Sequence, residues 1–74
     1  MQITVRLFAT FRDGRFVSEI REYTPGTRIG EVIDDLEIPQ SEIGMIMVNN
    51  RHAEPGDLLT ENASLALFPL LGGG

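Results

Sequence analysis

The sequence predicts an α+β domain, a mixed sheet covered on one face by a single helix, and three observations carry that expectation. Met1 to Phe8 and Ser64 to Pro69 place apolar residues at every second position, the period of a half-buried strand. Ile29, Val32, Ile33 and Leu36 fall at i, i+3, i+4 and i+7, one apolar stripe along a helix. The chain has only 74 residues and no cysteine. One small core must therefore hold it, without a disulfide or a cysteine–zinc staple.

In chain order, Ile3, Val5 and Leu7 line one face of the first strand, with Gln2, Thr4 and Arg6 on the other. Phe8 breaks the polar side and sets an aromatic ring on the outer face. Arg12-Asp13-Gly14-Arg15 supplies a turn, and Phe16 to Tyr23 alternates again as the second strand of a hairpin. Its inward face is ambiguous, because Phe16 and Ile20 lie on one side and Val17 and Tyr23 on the other. Thr24-Pro25-Gly26 ends that strand, and Thr27 is the candidate N-cap of the helix. Gly30 inside the helix costs about 1 kcal/mol relative to alanine, so packing must hold the segment together. Pro39 forbids its continuation. Met45-Ile46-Met47-Val48 reads as a central strand, and Asn49-Asn50 as a turn. Residues 51–63 read as a loop with one short strand at most. The last strand places Leu65 and Leu67 on one face and Ala66 and Phe68 on the other. If the first and last strands are parallel neighbours, the topology is a β-grasp of four or five strands: a domain over residues 1–69 with a flexible glycine tail over 70–74.

Composition excludes several functions. Eleven acids face six bases, every base is arginine, and the net charge is −5. Such a surface disfavours nucleic acid and anionic membranes and favours a basic protein partner. The apolar runs are far short of a bilayer span, and no signal-peptide pattern opens the chain, so a cytoplasmic location is expected. Catalytic inventory is thin. There is no cysteine or lysine, and His52 stands alone in a turn, where a solvated histidine is the ordinary case. No bound metal or cofactor is therefore expected. Asp34 and Asp35 diverge by about 100° around a helix axis and share no site. Gly26 and Gly30 do not make a phosphate-binding spacing.

The chemistry-bearing candidate is the end, Leu70-Leu71-Gly72-Gly73-Gly74. Three glycines after a core strand are either an inert tail or a thin tether whose reactive atom is a main-chain carboxylate. Without Cβ atoms, such a tether threads a narrow channel and leaves its terminal carbon open to attack. Phe8 and Phe68 on the outer face near its root form either a docking patch or a pair of rings covered by the 51–63 loop.

The closing segment Leu67-Phe68-Pro69-Leu70-Leu71-Gly72-Gly73-Gly74 resembles the terminus of the MoaD/ThiS sulfur-carrier family, and in particular that of molybdopterin synthase small subunits. Those subunits close with Phe-Pro-Pro, two small or apolar residues, and Gly-Gly; here Leu70 replaces the second proline. Val5-Arg6-Leu7-Phe8-Ala9-Thr10-Phe11-Arg12 is similar to their first strand, and Val48-Asn49 to the end of a middle strand. The Asp-Gly-Asp common before the last strand appears here as Glu61-Asn62-Ala63. The resemblance implies a ubiquitin-like fold and a protein that serves as a co-substrate rather than an enzyme. An E1-like partner would adenylate Gly74 with ATP, a sulfurtransferase would convert it to a thiocarboxylate, and the large synthase subunit would receive the sulfur for molybdenum- or tungsten-cofactor assembly. Gly73 and Gly74 would carry the chemistry. Gly72 would give clearance, and Phe8, Phe68, Pro69, Leu70 and Leu71 would contact the partner. A thiamine-pathway carrier, a ubiquitin-like modifier and a non-conjugated interaction module are the alternatives.

Overall fold

The computed structural model describes residues 1–70. Five strands form one sheet: β1 (Gln2–Leu7), β2 (Ser18–Glu22), β3 (Ile43–Val48), β4 (Arg51–His52) and β5 (Ser64–Pro69). One helix, α1 (Ile29–Asp35), joins the two halves of the chain, and short 3-10 turns occupy Ala9–Arg12 and Gln40–Glu42. The spatial order is β2-β1-β5-β3-β4, with β1 and β5 parallel in the centre and every other pair antiparallel. This is the β-grasp. Among the described residues, no helix is long and apolar enough to cross a membrane.

Strand alternation decides which residues reach α1. Ile3, Val5 and Leu7 of β1 and Leu65 and Leu67 of β5 are fully buried against Ile29, Val32 and Ile33. β2 is shorter than its sequence pattern, and register settles its ambiguous face. Ile3 pairs with Arg21 and Val5 with Glu19, so polar residues occupy its helix side. Ile20 pairs with Thr4 on the open face and is exposed. No residue of β2 joins the apolar core beneath α1. A polar clip joins them instead: the Arg21 guanidinium donates to Asp35 Oδ2 at 2.9 Å, Glu19 Oε2 at 2.7 Å and Tyr23 Oη at 3.0 Å. Tyr23 Oη donates in turn to Asp35 Oδ2 at 3.1 Å. Burial works against the Arg21 charge, but the bonds to Tyr23, Asp35 and Glu19 outweigh it and raise its pKa. Burial also pushes the Tyr23 phenol up, opposed by Arg21.

Thr27 does not cap the helix. Arg28 holds the N-cap position without a side-chain bond, and the Thr27 hydroxyl donates to the Thr24 carbonyl at 2.7 Å. The 51–63 loop takes over the capping role. Its Asp57 and Pro55 carbonyls accept from Ile29 N (3.0 Å) and Gly30 N (2.8 Å), satisfying amides that α1 leaves open. That contact explains the helical glycine, because a Cβ at Gly30 would stand 3.1 Å from Gln40 Nε2 and 3.3 Å from the Pro55 carbonyl. The helix ends before Pro39 in a Schellman motif: Glu37 N donates to Asp34 O, Ile38 N to Ile33 O, and Glu37 adopts φ 58°. Arg15 supports this end by donating to the Leu36 and Glu37 carbonyls.

Candidate docking surface at the root of the tail

β1 and β5 run parallel, so their last residues arrive side by side at one end of the sheet. There Phe8 and Phe68 stack with centroids 4.2 Å apart and planes 14° from parallel. The rings lie on the open face, opposite α1, because Phe68 alternates with the buried Leu67. Register adds Met45 of β3, which pairs with Phe68. Together with Ala9, Gly44, Pro69 and Leu70 these residues line a largely apolar cleft of about 310 Å³.

Gly44 makes the close approach possible. A Cβ at this position would meet the Pro69 carbonyl oxygen at 2.6 Å, where β3 shifts register between Ile43 and Met45. Leu70 N donates to the Glu42 carbonyl at 3.0 Å, which ties the end of β5 to the turn before β3. Leu70 itself is 63% exposed. Two guanidinium groups stand over Phe8, Arg6 at 5.3 Å and Arg12 at 5.2 Å from the ring centroid. Arg12 Nε also donates to the Leu7 carbonyl at 2.7 Å.

Phe8, Phe68 and Leu70 therefore meet where the sequence places them. Pro69 is buried opposite Ile43 and lines the same cleft. Leu71, Gly72, Gly73 and Gly74 lie outside the described residues. The 51–63 loop does not cover the rings. It runs along the start of α1, sends Leu59 and Ala63 into the core, and contributes no residue to the cleft. Sequence reasoning missed Met45, Gly44, Arg6 and Arg12 as members of the site. Met45 belongs to a continuous apolar run that conceals its face, and only the pairing with Phe68 reveals it. His52 is exposed on β4 beside Met47. Among the described residues, no three His, Cys, Asp or Glu side chains are grouped to hold a metal.

A family model described as the ThiS family matches residues 5–74. The chain belongs to the ThiS family. Membership brings with it a sulfur-carrier role and a ubiquitin-like fold. A search of curated protein sequences found no match. Among solved structures, SAMP1 from Haloferax volcanii is 21% identical with a TM-score of 0.76, the match covering 100% of both chains. A molybdopterin converting factor subunit 1 from Pyrococcus furiosus, so assigned provisionally, is 24% identical with a TM-score of 0.77, over 96% of this chain and 99% of that one. The complex of subunits 1 and 2 of the molybdopterin-converting factor from Helicobacter pylori contains a chain 16% identical with a TM-score of 0.68, over 100% of both. At these identities the likeness is one of fold.

Proposed function

We propose that this ThiS-family chain is the small, non-catalytic partner in molybdopterin assembly, carrying sulfur as a thiocarboxylate on Gly74. The observation that supports this most directly is the apolar cleft built from Phe8, Phe68 and Met45, from whose edge Leu70 leads toward Leu71-Gly72-Gly73-Gly74. A carrier needs a recognition surface at the base of a thin reactive tether, and this arrangement supplies one.

A carboxylate is a poor electrophile at neutral pH. In the proposed sequence a Gly74 carboxylate oxygen attacks the α-phosphorus of ATP in an E1-like partner, and pyrophosphate leaves. The acyl adenylate then carries a good leaving group. A sulfide equivalent from a sulfurtransferase attacks the acyl carbon, AMP departs, and a thiocarboxylate remains. Its sulfur is delivered in a large synthase subunit, a partner suggested by the two-subunit Helicobacter pylori complex. Gly73 and Gly74 contribute an open approach to the reacting carbon and Gly72 contributes clearance, while docking at the cleft holds the tether near the partner's catalytic groups. ATP belongs to the activating partner, and the carrier needs no cofactor of its own. The likeness to SAMP1, a small archaeal modifier protein, supports a second reading in which Gly74 forms an isopeptide with another protein's lysine.

Intact mass of the untagged protein, purified from its native cells under amine-free, non-reducing conditions, tests the proposal. A species heavier by one sulfur-for-oxygen exchange, absent when Gly74 is deleted, is the expected result. Protein adducts without any thiocarboxylate would favour the modifier. An unmodified terminus that stays inert with ATP and cell extract would refute both.

A further inference from the structure

We propose that the cleft at the tail root docks an acidic partner surface, an apolar side chain flanked by carboxylates, with Arg6 and Arg12 as the residues that meet those carboxylates. The proposal rests on the carrier reading and names the chemistry of the activating partner's contact surface. It reverses the sign expected from total charge, because net charge −5 suggests a basic partner only if the acids surround the docking site.

They do not. Glu31 and Asp34 are exposed on α1, across the sheet from the cleft, and Glu19 and Asp35 on that same side are committed to Arg21. On the open face, register sets Ser18, Arg6, Ala66, Met47 and His52 in one cross-strand row and Phe68 beside Met45 in the next. The carboxylate that this face carries on a strand is Glu22, opposite Gln2. Gln2 is four residues from Arg6, about 13 Å along an extended strand. That is more than one Debye length at physiological salt. Asp13 and Glu42 lie in the adjoining turns, yet among the described residues no carboxylate comes within ion-pair distance of Arg6 or Arg12.

The two guanidinium groups are also preordered. Each stands over the Phe8 ring, and Arg12 is further held by the Leu7 carbonyl. Their planar donor forks match a carboxylate and lose little freedom on pairing. A partner that fills the cleft with an apolar side chain excludes water from these charges, which strengthens the pairing. A basic partner surface would meet two cations of its own sign at this position.

The test is ATP–pyrophosphate exchange by the E1-like adenylating enzyme of the same organism, with the carrier as varied substrate. Arg6→Glu should raise the carrier's KM about tenfold with kcat nearly unchanged. Arg6→Gln should give a smaller rise, and so should Arg12→Lys, which keeps the charge but loses the planar fork and its stacking on Phe8. Rising salt should raise the wild-type KM. The helix-face control Glu31→Gln/Asp34→Asn should behave as wild type. Circular dichroism and urea midpoints confirm that each variant is folded. An unchanged or lower KM for Arg6→Glu, or a raised KM in the helix-face control alone, overturns the acidic-partner proposal while leaving the carrier reading intact. Wild-type protein that supports no exchange at all overturns the carrier reading, and this proposal with it.

Discussion

Replacing Gly44 with alanine should meet a closer backbone contact than alanine at any other described glycine. The new Cβ would stand 2.6 Å from the Pro69 oxygen, 2.9 Å from its carbonyl carbon and 3.0 Å from Leu70 Cα. All three are backbone atoms, so no side chain can rotate away. Ordinary contact begins near 3.4 Å, and the shortfall requires β3 and the end of β5 to separate by about 0.8 Å. Overpacking of this kind costs about 1–3 kcal/mol. Weakening the bond from Leu70 N to the Glu42 carbonyl adds about 1 kcal/mol. A loss of about 2–4 kcal/mol in urea unfolding is expected, equivalent to a fall in Tm of roughly 10–25 °C for a domain of this size. Hydrogen exchange at the Leu70 amide should accelerate by more than the global loss of stability explains, because the strain is local. Wild-type stability in Gly44→Ala, with Leu70 protection unchanged, would refute the close-approach argument.

Glu37→Gly should stabilise the protein by up to about 1 kcal/mol, read as a higher urea midpoint, since Glu37 holds φ 58° at the end of α1 where an L side chain is strained. Leu67→Ala removes a fully buried side chain between the sheet and α1 and should cost about 2–5 kcal/mol by thermal or urea unfolding. Folding raises the Tyr23 pKa chiefly by burial, so the folded state favours the neutral phenol. The associated stability is fully present below the ordinary tyrosine value of 10.0 and declines as pH rises from there through the raised folded value. Stability measured against alkaline pH should fall less steeply in Tyr23→Phe. Phe8→Ala should lower stability by about 0.5–1.5 kcal/mol through the lost ring stack, while raising the KM for activation through the loss of both the cleft wall and the platform for Arg6 and Arg12.

Several features were legible in local order alone. The period of two in Ile3-Val5-Leu7 and in Leu65-Leu67, and the spacing of Ile29, Val32, Ile33 and Leu36, are consequences of strand and helix geometry, and they determined the core and the fold class. The outward placement of Phe8 and Phe68 followed from the same alternation, and the terminal glycines carried the family signal. Other features required the chain to close on itself. Met45-Ile46-Met47-Val48 is apolar at every position, so no period distinguishes its faces; pairing with β5 sends Ile46 inward and Met45 into the cleft. Thr27 looked like a cap because capping residues are recognised by proximity in sequence, whereas the Pro55 and Asp57 carbonyls that satisfy α1 come from more than twenty residues away. The total charge was a property of composition. Its division into an acidic helix side and an arginine-rimmed open face is a property of register, because the strand pairing that sets Arg6 beside Ala66 and Glu22 beside Gln2 exists only in the folded sheet.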